Sequence, residues 1–376
     1  MGKHLVLIGA GHAHLTCLKS LRDFTAKGHQ VTVIGPDTHH YYSGMGPGML
    51  GQTYKPQEIR FNSQRLAEAG GGRFVKGVVS QVQPAERTLV LASGEQISYD
   101  VVSFNIGSGI PKEKVAIQDD TNVFTVKPIE QLWRAQQAIL EQLGTKTLEL
   151  LVVGGGPAGL EISGNLRRLV TRHQGRANLT LVAGRRLMAD FPPKVRHLAL
   201  KSFQHRDIRV IEGAHLTEVQ AGRAKLTDGQ GLPFDFLFLA LGVRPPRLFQ
   251  DSGLPAGPDG GLVVNEFLQS VAYPEIFGGG DCISFRPRPL DKVGVYAVRQ
   301  NPILRDNLLA ALENQSLKPF IPQESYLLIF NLGDGRGIFC KNNFVFNGRL
   351  AFLLKDFIDR RFMRQFQISG ELQEAS

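Results

Sequence analysis

The sequence predicts a mixed α/β fold built twice on one plan, and three observations carry that prediction. In the first, an apolar run, Leu148–Val153, reads as a buried strand, and Gly154, Gly156 and Gly159 follow it at GxGxxG spacing before a helix start carrying Glu161. The first glycine permits a tight turn and the second lets backbone approach a pyrophosphate. The third lets helix and strand pack closely, so that the helix N-terminus points at the phosphates. The second observation is a similar run at residues 4–15, HLVLIGAGHAHL. The third is an internal repeat. Residues 234–246, FDFLFLALGVRPP, follow the plan of residues 99–111, YDVVSFNIGSGIP. The spacing agrees too, with 98 residues from Gly9 to Gly107 and 88 from Gly154 to Gly242. Two dinucleotide-binding domains of common design are therefore expected.

Bulk properties narrow the class. A chain of 376 residues is long enough for two or three compact domains, and 42% hydrophobic against 20% charged content fits a folded rather than a disordered protein. The net charge of +9 permits acidic partners but names none. Basic and aromatic residues do not interleave over one groove, so nucleic acid is not an expected partner. Cys17, Cys282 and Cys340 are far apart, which excludes a dithiol of near neighbours and a disulfide framework. The start runs straight into a strand, and no window of 18 apolar residues stands anywhere. The expected location is cytoplasmic, with attachment to the inner face of a membrane raised by the C-terminal segment described below.

Taken in order, residues 3–8 read as a strand, Gly9 to His14 as a turn, and residues 15–24 as a helix. His14 stands where the third glycine belongs, with small Ala13 beside it to allow close packing. Residues 30–34 read as the second strand. An acidic residue is expected at its end to bond a ribose hydroxyl, and Asp37 is the candidate. Residues 41–51, YYSGMGPGMLG, read as a tight loop able to lay amides along a phosphate or a flat ring. Strands follow at 72–82 and 88–92, a linker at 111–121 and a helix at 129–143.

After the second glycine turn, a helix to about residue 171 and a strand at 178–182 are expected. That strand ends in Arg185 and Arg186 with no carboxylate, which suggests NADPH over NADH or indifference between them; the alternative is a solvated basic turn. Residues 254–259 cross back, and residues 276–282, IFGGGDC, run a strand into Gly280 and Asp281. A helix at 296–312, a strand pair at 327–339 around Gly333-Asp334-Gly335, and a basic amphipathic tail at 349–367 complete the chain.

In these motifs the chain resembles the two-dinucleotide-binding-domain flavoproteins, the pyridine nucleotide-disulfide oxidoreductase superfamily, over essentially its whole length. Within it the chain is most similar to the type II NADH dehydrogenase-like branch. Closer still is the flavoprotein module found free-standing or fused to selenide, water dikinase. That likeness is carried by GAGHAHL (9–15), YSGMGPG (42–48), VRQNP (298–302) and NLGDGRG (331–337). The resemblance implies two Rossmann-like FAD/NAD(P)-binding domains, the second inserted in the first, plus a C-terminal α+β segment. The implied bounds are 1–115 and 251–325 for the FAD domain, 116–250 for the NAD(P) domain and 326–376 for the segment.

It further implies that Gly9, Gly11, His12, Ala13 and His14 bind the FAD pyrophosphate. Ser43, Gly44, Met45, Gly46 and Pro47 line the flavin, and Asp281, beside Gly280, accepts a ribityl hydroxyl. Gly154, Gly156 and Gly159 bind the phosphates of NAD(P)H, the substrate. Gly107 and Gly242, in the two closing turns, complete the sets. Glu161, near the nicotinamide, and Gln300, on the quinone side of the flavin, are the expected catalytic residues.

The implied function is hydride transfer from NAD(P)H to FAD, then electron transfer to a quinone-type acceptor. Such transfer needs two stacked rings in a dry crevice and no metal or base from the protein. The alternative is a reductase serving a protein or a selenium or sulfur species. A third reading, sulfide:quinone reductase-like, is disfavoured because no cysteine lies between Cys17 and Cys282. Six of ten histidines fall in the first forty residues, but no carboxylate or cysteine set completes a ligand sphere, so no metal is expected. In the tail, Leu350, Leu353, Leu354, Phe357 and Ile358 follow helical spacing, with Phe362 and Phe366 at one edge and arginines around them. That pattern fits a helix lying in a bilayer surface; the alternative is a helix packed on the core or across a homodimer.

Overall fold

Each glycine turn sits at the carboxyl end of the middle strand of a five-stranded parallel sheet, and the two sheets share one strand plan. The structure is a computed structural model that describes residues 2–111, 115–119 and 121–374. The first sheet runs Ile276–Gly278, Val101–Phe104, His4–Ile8, Gln30–Gly35, Arg73–Lys76. The second runs Val123–Thr125, Phe236–Leu239, Leu148–Val153, Ala177–Val182, Ile208–Ile211. The middle strands are apolar because helices cover both faces of a parallel sheet. Leu5, Leu7, Leu148 and Val152 are fully buried.

The repeat extends further than the motifs. Between third and closing strand, each half carries an antiparallel meander, Val79–Gln83, Thr88–Leu91 and Gln96–Ser98 in one and Leu216–Gln220, Arg223–Leu226 and Gly231–Pro233 in the other. The outermost strand of the first sheet, Ile276–Gly278, arrives only after the second sheet is built. The linker expected at 111–121 falls partly outside the described residues. Within it, Ala116–Ile117 pairs in parallel with Leu216–Gln220.

Two local expectations are corrected. Residues 41–51 are not a loop: Ser43–Met45 forms a 3-10 turn and Gly46–Leu50 an α-helix. Pro47 stands in the first turn, where its missing N–H costs nothing, and Met49 and Leu50 are fully buried. Gln136, itself buried, donates from Nε2 to the carbonyls of Met49 and Leu50, capping the helix from the Glu130–Gln142 helix. Tertiary packing thus overrides the loop propensity of the glycines. The helix expected at 15–24 is broken into Leu15–Lys19 and Arg22–Thr25, where Ser20 Oγ donates back to Thr16 O at 2.6 Å.

Helix Pro193–Gln204 has Pro193 at its start and buries Val195, Ala199 and Phe203 at i, i+4 and i+8. At the C-terminus three antiparallel strands, Leu328–Asn331, Gly337–Lys341 and Phe344–Gly348, lead into the tail helix Arg349–Phe366. Among the described residues no helix is long and apolar enough to cross a membrane.

Candidate functional site

The second glycine turn is a cradle closed on the protein side and open on the other. Gly154 has φ +137°, and a Cβ there would lie 2.1 Å from Ala240 O. A Cβ on Gly159 would lie 1.8 Å from Gly154 O, so only glycine lets the helix sit this close. A Cβ on Gly156 would meet nothing within 4 Å. Gly156 caps helix Pro157–Arg172, and the helix N-terminus therefore faces open space. A cleft of about 560 Å³ lies there, lined by residues 154–158, Ala183, Gly184, Arg185, His215 and Gly242, among others. It fits a dinucleotide laid across a positive helix end. Arg185 lines the wall and pairs with Asp190 at 3.3 Å; Arg186 is exposed.

The first cradle reaches a similar shape by other means. Gly9, φ +80°, donates its N–H to Ile34 O at 2.8 Å. Asn105 spans the turn: its Oδ1 accepts from the Ala13 N–H at 2.9 Å, and its Nδ2 donates to Gly279 O at 2.7 Å. His14, in the third glycine's place, turns its ring inward between Gly9 O at 2.6 Å and Ser103 Oγ at 2.8 Å. Ala13 takes over the close approach, since a Cβ on Gly279 would stand 2.8 Å from the Ala13 methyl. Gly280, φ +74°, donates its N–H to Gln300 Oε1 at 2.6 Å. Gln300 is 1% exposed and supports this turn from the Gly294–Leu312 helix.

Asp281 Oδ2 accepts from Ser108 Oγ at 2.8 Å and from Lys127 Nζ at 2.7 Å. Burial pushes its carboxyl up, but the Lys127 ammonium and the two bonds outweigh it and hold Asp281 below the ordinary carboxylate value. Asp37, past the end of Gln30–Gly35, is exposed and accepts from the Thr38 N–H at 2.6 Å.

The first cradle fits a bound cofactor. His12 is 8% exposed, and its Nε2 and that of His40 are buried without a hydrogen-bond partner. An unpaired buried polar atom costs about 1–3 kcal/mol, which a ligand atom would relieve. Burial lowers the His12 pKa to about 4, so its ring is neutral. Gly107, φ +67°, in the closing turn of the first half, opens on free space.

Glu161, expected from the sequence, stands near a polar cluster of Tyr42, Lys355 and Asp359 that sequence reasoning missed. Glu161, in the second turn of helix Pro157–Arg172, accepts from the Asn331 N–H at 2.6 Å. Burial raises its carboxyl to about 7, against the opposing pull of Lys355 and that N–H. Lys355 Nζ donates to Gly44 O at 2.8 Å and Asp359 Oδ2 at 2.7 Å, and Tyr42 OH donates to Asp359 Oδ1 at 3.0 Å. The tail helix therefore turns its charged pair inward. Its leucines face out: Leu350 is 75%, Leu353 58% and Phe357 61% exposed. The helix does pack on the protein, as the alternative reading has it, but through the face of Ala351, Asp359, Met363 and Phe366 and not through the apolar stripe. Phe362 and Phe366, expected at the stripe's edge, belong to the inner face, where the Phe362 ring lies 5.0 Å from Tyr42 and Phe366 6.4 Å from Phe61. The spacing of Lys355 and Asp359, four apart and opposite the leucines, was the available signal.

Fold and cradles together give the chain two glycine turns, each at the carboxyl end of the middle strand of a parallel sheet. A family model described as pyridine nucleotide-disulphide oxidoreductase matches residues 3–300, and the chain belongs to that family. The family is FAD-dependent and uses NAD(P)H. The chain is 24% identical over 295 residues to the ferredoxin–NAD(+) reductase component of the 3-phenylpropionate/cinnamic acid dioxygenase of Photorhabdus laumondii, covering 75% of this chain and 70% of that one. The solved structure of NDH2 from Plasmodium falciparum in complex with NADH matches with TM-score 0.81 at 13% identity over 98% of both chains. Sulfide:quinone oxidoreductase from Aquifex aeolicus matches with TM-score 0.80 at 16% identity over 98% of this chain and 92% of that one. At such identities these structural likenesses show the fold. All three cysteines are buried, and burial raises Cys17 to about 12 and Cys282 to about 11, far from thiolate character.

Two outcomes follow. Gly156→Val is expected to leave the melting temperature unchanged and to weaken NAD(P)H binding about tenfold or more, since the added methyls enter only the open side of the turn; scanning calorimetry reads the first and titration calorimetry the second. For Glu161, the raised pKa means the folded chain holds a proton that the unfolded chain releases between the ordinary glutamate range and about 7. Its stabilising contribution is thus present at the acid end and lost as pH rises through about 7. Glu161→Gln should gain stability relative to the parent between about pH 5 and about pH 8; equal pH dependence of the two melting curves would refute this.

Proposed function

We propose that the chain is an FAD-dependent NAD(P)H oxidoreductase that reduces a quinone-type acceptor at a membrane surface. One observation carries the acceptor reading. A single helix turns an apolar ridge outward, at Leu350, Leu353 and Phe357, and on its inner face touches Gly44 and Tyr42 beside the first cradle. An acceptor dissolved in lipid would meet the protein where the ridge meets the bilayer. Arg349, Arg361 and Arg364 on the same helix suit anionic headgroups.

When bound, FAD supplies the capacity to take a hydride and pass the electrons on. The chain's own residues do the rest. The Gly156 turn and the N-terminus of helix Pro157–Arg172 bind the pyridine nucleotide's phosphates, and Arg185 with Arg186 favours the 2′-phosphate of NADPH. The turns at Gly9–His14, Gly107 and Gly280–Asp281 hold FAD, with Asp37 at the adenosine end and residues Ser43 to Pro47 along the ring. Gln300 acts by fixing the Gly280 turn. Glu161, protonated or charged near neutrality, is the group able to give or take a proton between the cofactors. The similarity to a ferredoxin–NAD(+) reductase favours a second reading, a protein acceptor.

Anaerobic titration tests the donor half: NADPH should bleach the yellow protein at lower concentration than NADH, and Arg185→Ala should narrow that preference. The reduced protein should then be reoxidised by a short-chain quinone; reoxidation by a ferredoxin but not by quinone would decide for the protein acceptor. For the surface, the chain should sediment with vesicles containing phosphatidylglycerol, and Leu353→Glu with Phe357→Glu should abolish this. A dimer in ultracentrifugation, lost in the same variant and with no vesicle binding, would assign the ridge to a homodimer instead.

A further inference from the structure

Lys127 lies just beyond strand Val123–Thr125, the edge of the second sheet, yet its ammonium reaches the first cradle. Its Nζ stands 2.7 Å from Asp281 Oδ2 and 3.1 Å from Ser108 Oγ. Both side chains are largely buried, Lys127 at 27% and Asp281 at 12% exposure. Among the described residues, no other cation is paired with Asp281. The nearby Lys292 is engaged by Asp259 at 2.6 Å, and His12 in the same pocket is held neutral by burial.

A carboxylate beside a flavin is useful for binding a ribityl hydroxyl and harmful for redox. Two-electron reduction brings negative charge onto the cofactor, and an unpaired carboxylate in a low-dielectric cradle opposes it. We propose that Lys127, carried in by the second domain, is the counterion that neutralises Asp281, letting a carboxylate hold the flavin without opposing its reduction. This rests on the reading that the first cradle binds FAD with Asp281 on the flavin side. Lys127 is a positioning residue in this scheme and takes no part in hydride transfer.

The test is the midpoint potential of the flavin in the purified holoprotein, measured by dye-equilibrated reduction. Lys127→Met should lower the potential, because it leaves Asp281 unpaired, and should weaken FAD retention about tenfold, the value of one charge-assisted bond. Lys127→Arg should restore the parent potential. Asp281→Asn should raise it, an opposite sign that a merely structural role would not give. The double variant Lys127→Met, Asp281→Asn should return close to the parent, since with no carboxylate there is nothing to neutralise. An unchanged potential in Lys127→Met overturns the proposal, as does a fall that persists in the Asp281→Asn background. If Lys127→Met loses flavin, recovery of flavin in the double variant supports the proposal and failure to recover it overturns it. A parent protein that binds no flavin would instead sink the cradle reading, which keeps the two failures distinct.

Discussion

The helix after each glycine turn must come within contact distance of the backbone before it, and everything else in the structure is arranged around that approach. In the second cradle the approach is bought by absence: with no Cβ on Gly159, its Cα packs on the carbonyl of Gly154. In the first it is held by side chains. Asn105 ties the Ala13 amide to Gly279, and His14 bridges Gly9 to Ser103 with a fully buried ring. The two halves therefore reach the same close approach by different chemistry. Glycine gives close packing at an entropic penalty, whereas a hydrogen-bonded imidazole gives a fixed shape but must stay neutral. Burial secures that, lowering the His14 pKa to about 4.

How far the sequence could be read follows from the range of the forces involved. The glycine turns, the apolar strands and the doubled plan are written locally, in spacings of a few residues, and they were legible. Residues 46–50 were not, because their helix is stabilised by Gln136 and by packing against the helices at 130–142 and 157–172, not by their own propensity. Lys127 and Asp281 are 154 positions apart, and Tyr42 and Asp359 are 317 apart. No window along the chain links such pairs. The tail helix shows the same limit in a subtler form. Its apolar periodicity was plain, but periodicity alone does not say which side faces the protein. The inner side holds the buried pair Lys355 and Asp359 beside Phe362 and Phe366.

That inversion has a physical logic. A buried ion pair is weak as a source of stability but exacting about geometry, because either partner alone is destabilising. Lys355 and Asp359 are four residues apart on one helix, and they also engage Gly44 O and Tyr42 OH. The contact fixes the rotation of the helix about its own axis, and with it the direction in which the leucines point. A wholly apolar inner face would have allowed the helix to slip or roll.

The order of the strands has a consequence for how the chain comes into being. Residues 4–104 supply four strands of the first sheet, but the fifth, Ile276–Gly278, and the Gly280–Asp281 turn beside it come after the whole of the second domain. During synthesis the inserted half can close as a unit while the earlier half still waits for its last edge. Under the function proposed above, the first cradle is complete only once both segments have left the ribosome, so cofactor loading follows synthesis of the Gly280–Asp281 turn.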